Sequence, residues 1–546
     1  MSSLKPSDYP VSPIINALER DRERPIVEMA GGEAWTGGDI LDAISTLSQA
    51  LQAHGAKDGA RVALLAGNSI EVLLLHNAIG FAGAVMVALH PMGSADDHVF
   101  ALEDGEVDVL LFDPAKFADR AAELRARTNR LKSIMSLGPA EIGVDLLAEA
   151  KARTPKPLFA PKLAPNTVIR LSYSGGTTGT PKAIPLSPRV RETTQQIMLT
   201  DWEWPVEPRM LAVVPLSHAG GTLFPPVLLK HGTMVIMPGF DPGAVLKAIQ
   251  DYKITCIMLV PTMIYALLDH PDFDKYDLSS LETVFYGASL MAPVRLKEAI
   301  ERLGPIFFQF YGQTEAPMTV FTLRKSEHDP NDLRRLASCG RPTPWLNVAL
   351  MGDNNEPVAD GEPGEICVRG PLIMEGYLNR DELNSDTFAD GWLHTGDVAV
   401  KDADGFYRIV DRKKDMIVTG GFNVFPSEIE NVIAQHPAIA QVSVFGTPDA
   451  KWGEAVTAAV VLRPGERVDA DTLRELVREH KGSVQVPKRV EFLEALPQTA
   501  VGKPDKKALR KQFSDGGGAG TVSPSSPLPK PDVRGAAVIA GSFDRP

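Results

Sequence analysis

The stretch Leu171-Ser-Tyr-Ser-Gly-Gly-Thr-Thr-Gly-Thr-Pro-Lys182 packs hydroxyls, glycines and a lysine closely together, which suits the oxygens of a nucleoside triphosphate. Glycines at 175, 176 and 179 let the backbone pass close to a ligand and turn free N–H groups toward a multiply charged anion. Lys182 adds a point charge. The spacing is not that of the kinase-type loop G-x-x-x-x-G-K-[ST]: Thr180 stands where the second glycine would fall after Gly175, and Ala183 follows Lys182. The plain alternative is a Gly/Thr surface loop. Its setting between a strand pattern and a helix pattern favours a phosphate loop of another kind, with ATP as the ligand.

Other segments carry polar groups of chemical interest. Ser217-His218-Ala-Gly-Gly221, Gly287-Ala-Ser289 and Tyr311-Gly-Gln-Thr-Glu315 each follow a short β-branched or aromatic run. Alone, each has an ordinary explanation: a lone histidine such as His218 is more often structural, and a glutamate beside a helix start such as Glu315 is often a dipole partner. Arg412-Lys-Lys-Asp415 taken alone is a solvated charge run. Lys503, with Lys506, Lys507 and Arg510, could equally be a solvated basic face. Gly287-Ala-Ser289-Leu-Met291 fails the G-x-S-x-G elbow at its last position, which sets aside a serine hydrolase. The small residues Ala219, Gly220, Gly221, Gly287 and Ala288 are compatible with a roomy pocket.

The elements that would position these segments follow α/β grammar. Candidate strands at 61–66, 85–89 and 108–112, then near 167–173, 209–215, 233–237, 255–260, 282–286 and 306–310, alternate with helical patterns such as Pro261–His270 and Pro293–Leu303. Ligands of open α/β sheets bind at the carboxyl ends of strands, so four of the following loops are expected to line one cleft. Beyond about residue 340 the texture becomes β-rich with Gly/Pro/Asp turns. Past Asp411 it changes again, to a compact αββαβ unit opened by Ser427-Glu-Ile-Glu430, a capping-box pattern. The expected architecture is α/β: a large multi-lobed domain over 1–411 with parallel sheets and a β unit, and a small mobile α+β domain over 412–513. A Gly/Pro/Ser-rich tail over 514–546 has the composition of disorder.

With 546 residues the chain exceeds what one hydrophobic core supports, and its 44% hydrophobic and 23% charged residues are those of an ordinary globular protein. The net charge of −13 argues against a general nucleic-acid or anionic-membrane surface. Cys256, Cys339 and Cys367 are widely spaced, forming neither a metal cluster nor a disulfide framework, so buried thiols in a reducing cytoplasm are expected. The N-terminus lacks a signal-peptide h-region. The apolar stretch Val62–Leu89 is interrupted by Asn68, Glu71, His76 and Asn77 and reads as strand, helix and strand, not as a membrane span. If the chain assembles, a homodimer is the default.

These motifs in order, over about residues 10–512, resemble the adenylate-forming superfamily: acyl-CoA synthetases, the adenylation domains of nonribosomal peptide synthetases and firefly luciferase. The resemblance rests on Tyr173–Lys182, Pro215-Leu-Ser-His218, Tyr311–Glu315, Gly364-Glu-Ile-Cys-Val-Arg-Gly370, Gly391-Trp-Leu-His-Thr-Gly-Asp397, Asp411-Arg-Lys-Lys-Asp415 and Val501-Gly-Lys-Pro-Asp505. Gly175 departs from the commoner serine, a variant shared by some aryl-acid-activating members.

The resemblance implies activation of a carboxylic acid by ATP to an acyl-adenylate with pyrophosphate release, followed by transfer to CoA, a fatty acid being favoured over an aryl acid. The runner-up is delivery to a carrier protein; a relative that binds without catalysis belongs to another class. The resemblance assigns ATP binding to Ser174, Gly175, Gly176, Thr177, Thr178, Gly179, Thr180, Pro181 and Lys182, and to Gly287, Ala288, Ser289, Tyr311, Gly312, Gln313, Thr314, Asp397 and Arg412. Tyr311 would stack on adenine, Thr314 would meet the α-phosphate and Asp397 the ribose hydroxyls. Glu315 becomes the Mg²⁺ ligand, and Lys503, Thr178, Glu315 and His218 the catalytic set. His218, Ala219, Gly220, Gly221 and Gly287 would line the acyl pocket, with His218 gating it. Lys414 is the implied hinge, and Gly420 and Gly421 the loop beside the pantetheine arm in the CoA step.

Overall fold

The computed structural model describes residues 12–173, 181–413, 415–419, 422–449, 451–499 and 503–514, with the backbone alone at Asn423. Expectations attached to Ser174–Thr180, Lys414, Gly420, Gly421 and the tail beyond Ser514 therefore lie outside the described residues.

Short runs that are apolar at every position cannot leave one face in water, and they form the centres of two mainly parallel sheets. The first is seven-stranded, in the order 144–145, 133–136, 109–112, 61–65, 85–88, 170–173 and 183–186. Val62–Leu65 and Val109–Phe112 are buried throughout. Its last two strands, Arg170–Tyr173 and Ala183–Leu186, form an antiparallel pair, so the two arms that flank the glycine-rich segment are fixed side by side. The second sheet has nine strands, in the order 341–342, 321–323, 307–311, 283–287, 256–259, 209–212, 233–236, 25–29 and 34–36. Two of these strands, Pro25–Met29 and Ala34–Thr36, precede the region in which sequence patterns were legible; Val27 pairs with Met234 in parallel register.

Helices Gly37–Ala53 and Ile70–Phe81 join the two sheets. The first starts on a capping box of Thr36 and Asp39, the second on a Ser69 N-cap. A single core runs from Leu64 and Leu111 through Leu47, Leu73 and Ile79 to Leu211 and Val235. Across Val62–Leu89 the chain is strand, helix and strand, as its polar interruptions imply. No described helix is long and apolar enough to cross a membrane.

A third sheet is antiparallel and contains Asn347–Met351, Pro363–Arg369, Phe388–Ala389, Trp392–Lys401 and Tyr407–Arg412. The last of these strands carries the chain to the expected boundary at 412, and Arg412 still pairs with Asp397. The small C-terminal unit contains the expected αββαβ order. To it are added a hairpin, Ile417–Thr419 with Phe422–Val424, and a final helix, Lys506–Ser514. The capping box expected at Ser427 is not formed. Pro426 occupies the first helical position, Phe425 the cap, and the Ser427 hydroxyl donates instead to the Val410 carbonyl. A proline at the first turn displaces the start by two residues because its fixed φ and missing N–H already suit that place.

The small unit also meets the nine-stranded sheet's helices. Arg463 lies 3.6 Å from Asp269 and 3.7 Å from Glu298. Both carboxylates are already held at 2.8 Å by Arg295, whose side chain is 5% exposed.

Candidate active site

The strand Phe307–Tyr311 is buried at Phe307, Phe308 and Phe310, and it delivers Tyr311 to the edge of the core. Gly312 then turns the chain so tightly that a Cβ would sit 2.7 Å from the Ala316 carbonyl. Antiparallel register in the third sheet sets Asp397 opposite Arg412. The two segments meet at the Asp397 carboxylate, which is 5% exposed. One oxygen accepts from the Tyr311 hydroxyl at 2.6 Å and from Gln313 Nε2 at 2.7 Å; the other lies 3.1 Å from Arg412 Nε. Gln313 also donates to the Thr395 carbonyl. Burial, reinforced by the Asp397 charge, pushes the Tyr311 phenol well above its ordinary range, so Tyr311 remains a donor. Burial opposes the Arg412 charge, but Asp397, Asp415 and Glu315 together raise its pKa.

Glu315 ends the same loop, with Thr314 beside it. Its carboxylate accepts from the Tyr377 hydroxyl at 2.7 Å, and Lys182 Nζ stands 5.0 Å above the Tyr377 ring. Lys182 and Pro181, at the far arm of the glycine-rich segment, are thus brought toward the 311–315 loop. Gly287 lies opposite Phe310 in the sheet, where a Cβ would press 2.9 Å from the Phe310 ring; Ala288 follows with φ +68°, a left-handed conformation costing about 1 kcal/mol. Ser289 comes next in the same strand-end loop. No group of three or more His, Cys, Asp and Glu that could hold a metal occurs among the described residues. A Mg²⁺ ion at Glu315 would therefore take one carboxylate and complete its shell with nucleotide oxygens and water, a set Mg²⁺ accepts.

The His218 side has a different chemistry. Leu216–Gly220 is a wide turn in which His218 leaves helical dihedrals (φ −126°, ψ −128°). His218 Nδ1 lies 2.9 Å from Ser217 Oγ, and its ring packs edge-on against His90 with centroids 4.7 Å apart. Burial, then the neighbouring His90, Arg170 and His76, hold its pKa well below the ordinary histidine range; burial takes His76 to about 3. The Arg170 guanidinium donates to the Ser217 carbonyl at 2.7 Å and to Ser172 Oγ at 3.2 Å. Among the described residues no carboxylate pairs with Arg170, and burial lowers its pKa to about 10.

Here the expectation of a pocket made roomy by small residues needs correcting. A Cβ on Gly221 would stand 2.5 Å from the His76 ring, one on Gly220 2.7 Å from the Val214 carbonyl, and one on Gly287 against Phe310. Glycine at these places permits close packing and adds no volume. Ala219 alone of the turn is exposed.

In the small unit, Lys503 is held by its backbone: its N–H donates to Thr499 Oγ1 at 3.2 Å and its carbonyl accepts from Thr499 N at 2.7 Å. The basic run after it is not a uniform solvated face. Lys506 pairs with Glu430 at 2.9 Å, with Asp411 and Asp415 also raising its pKa, and Arg510 pairs with Asp415 at 3.1 Å. Burial raises Asp411 to about 6. All three cysteines are buried and free.

Several participants escaped sequence reasoning. Tyr377, Asn68, His76 and His90 find their partners only through the tertiary fold. Arg170 offered a signal, a charge inside the apolar run Val168-Ile-Arg-Leu171.

Comparison with known proteins finds relatives over most of the chain. Residues 15–378 match the family model described as AMP-binding enzyme, and residues 428–503 the model of the AMP-binding enzyme C-terminal domain. The chain is 50% identical over 518 residues to the medium/long-chain-fatty-acid–CoA ligase FadD8 of Mycobacterium tuberculosis, covering 92% of this chain and 90% of that protein. It is 36% identical to a feruloyl-CoA synthase of Amycolatopsis, over 88% of this chain and 95% of that one. Among solved structures, the amide bond synthetase McbA of Marinactinospora thermotolerans superposes with a TM-score of 0.83 at 33% identity, covering 92% of this chain and 99% of that chain.

Proposed function

This chain belongs to the AMP-binding enzyme family, and we propose that it joins a carboxylic acid, a fatty acid by preference, to CoA through an acyl-adenylate, releasing pyrophosphate and then AMP. The 50% identity to a medium/long-chain-fatty-acid–CoA ligase supports the preference. A second reading, an aryl acid, is favoured by the Ser174-Gly175-Gly176 variant and by the 36% identity to a feruloyl-CoA synthase.

A carboxylate is a poor acyl donor because its leaving group would be an oxide. Its attack on the α-phosphorus of ATP corrects this, at the cost of bringing two anions together, so the protein must position and neutralise. The single observation carrying the proposal is the convergence of Tyr311, Gln313 and Arg412 on the buried Asp397. Asp397 would take the ribose hydroxyls, with Arg412 beside it as companion, while Tyr311 and Gly287–Ser289 border the adenine. Lys182 and the loop 174–180, Thr178 included, are assigned to the phosphates on their sequence. Glu315, steadied by Tyr377, would hold a Mg²⁺ that neutralises phosphate charge when bound. Lys503 would reach the carboxylate and α-phosphate in the first step. Lys414 would be the pivot, and Gly420 and Gly421 the path of the pantetheine arm in the second. His218 would face the acyl group as a neutral ring. Three buried free thiols suit a cytoplasmic enzyme.

The test is pyrophosphate release and acyl-CoA formation with MgATP across fatty, aryl and alicyclic acids, with and without CoA. Acyl-CoA from one acid class is expected. Acid-dependent pyrophosphate without thioester would redirect the reading to carrier-protein loading, and no release with any acid would overturn it.

A further inference from the structure

Three hydrogen bonds reach the His218 turn from the other sheet. The Leu216 N–H donates to Asn68 Oδ1 at 2.8 Å, and Asn68 Nδ2 donates to the Val214 carbonyl at 3.1 Å. The Arg170 guanidinium donates to the Ser217 carbonyl at 2.7 Å. Asn68 lies in the loop between the strand Arg61–Leu65 and the helix Ile70–Phe81, and Arg170 opens the strand Arg170–Tyr173; both elements belong to the seven-stranded sheet's side of the core. The turn they grip leaves the nine-stranded sheet just after Arg209–Ala212. Asn68 is 9% exposed, so its amide is committed to the turn and water cannot substitute for it cheaply. Among the described residues no carboxylate holds Arg170 elsewhere, and Gly221 lets the turn close against His76.

Backbone groups at 214, 216 and 217 are thereby fixed immediately before His218, at the point where the turn departs from regular dihedrals. The turn has bonds of its own, from the His218 and Gly220 N–H groups to the Pro215 carbonyl, and Asn68 and Arg170 tie the residues on either side of Pro215 to the other sheet. We propose that Asn68 and Arg170 are positioning residues for the acid-binding step, orienting His218 from the opposite sheet and so setting how the acid is admitted. The inference rests on His218 facing the acyl group.

The experiment compares wild type with His218→Ala, Asn68→Ala, Arg170→Met, Arg170→Lys and the double variant Asn68→Ala/His218→Ala as full-length proteins. It measures KM for the acid and for ATP separately, with decanoate or the best acid of the panel above. His218→Ala is expected to raise the acid KM about tenfold with the ATP KM within about twofold. Asn68→Ala and Arg170→Met should do the same by about five- to tenfold, with Arg170→Lys recovering part of the loss because it keeps one donor. The double variant should be no worse than His218→Ala, since one residue acting through another is non-additive with it. Melting temperatures report folding, and Asn68→Ser, which retains a hydroxyl for the turn, replaces Asn68→Ala if that protein does not fold. An acid KM unchanged in Asn68→Ala and Arg170→Met while His218→Ala raises it would overturn the inference and leave His218 in place. Parallel loss for ATP and acid would reduce both residues to general fold support and overturn it as well. An acid KM unchanged in His218→Ala would remove the reading beneath it.

Discussion

Around Asp397 each charge has a partner of opposite sign within reach: Asp397 with Arg412, and Arg412 with Asp415 and Glu315 nearby. On the His218 side the charges are thinned out. One guanidinium, Arg170, is bonded to a carbonyl and a hydroxyl, and the histidines around it are held neutral by burial. On the function proposed above, the contrast would match the two ends of an acyl-adenylate. A nucleotide can exchange places with existing hydrogen-bond partners on the first side, whereas the second side would meet an acyl chain or ring with neutral histidines and a single cation, Arg170, whose donors are turned to the Ser217 carbonyl and Ser172 Oγ. It also predicts that the two sides separate kinetically.

The sharpest break comes from Lys503→Ala. Adenylate formation should fall about 10³-fold or more, while thioester formation from supplied acyl-adenylate stays within about threefold, as two half-reaction assays would report. Equal loss in both would dissolve the assignment of Lys503 to the first step. Asp397→Asn keeps the shape and removes the charge; kcat/KM for ATP should drop about 10²-fold with the acid KM nearly unmoved. If the acid KM moves as far, the two sides are one energetic unit. Tyr377→Phe removes the donor to Glu315 and should raise the Mg²⁺ concentration for half-maximal rate by about three- to tenfold, read from a metal titration at saturating ATP.

The smallest effect is a pH dependence of stability set by buried histidines: His76 and His218 near Arg170, and His328, which bonds to the Tyr286 hydroxyl and the Arg324 carbonyl. His76 and His328 have folded pKa values of about 3 and about 4, below the ordinary 6.5, and His218 is lowered too. Their contribution is complete above pH 6.5 and is lost as pH falls through that value toward 4, where the unfolded chain binds the protons. Asp411 opposes this: its folded value of about 6 lies above 3.8, so it favours the fold as pH drops below 6. The net expectation is a fall on the order of 1 kcal/mol per pH unit from pH 6.5 to 5 in urea titrations. A flat profile would mean that the buried histidines do not stay neutral.

The α/β alternation was legible because fully buried parallel strands have no polar face to disguise them. Runs such as Val62–Leu65 and Val109–Phe112 announce themselves by composition. Pro25–Met29 and Ala34–Thr36 did not: both are partly exposed, the first pairs with a strand some two hundred residues later, and the second pairs with the first. Motif residues such as Tyr311, Gln313 and Asp397 could be named from their order, but their meeting depends on a strand end and a sheet register no local pattern encodes. Gly220 and Gly221 mislead for a related reason: a small residue signals room only if no neighbour already fills the space, and the Val214 carbonyl does so at Gly220 and the His76 ring at Gly221. Ser427 shows that a proline can outrank a hydroxyl in choosing where a helix starts.

The contact of Arg463 with Asp269 and Glu298 has a consequence for how the two parts of the chain come apart. Because Arg295 holds both carboxylates at shorter range, departure of Arg463 leaves each still bonded to a guanidinium, with one positive charge then facing two negative ones. What is given up is a partly hydrated ion pair, on the order of 1 kcal/mol or less. At this contact, though not at Arg408–Glu428 or Ser427–Val410 nearer the boundary, the two surfaces can part with neither carboxylate losing its last hydrogen-bonding cation.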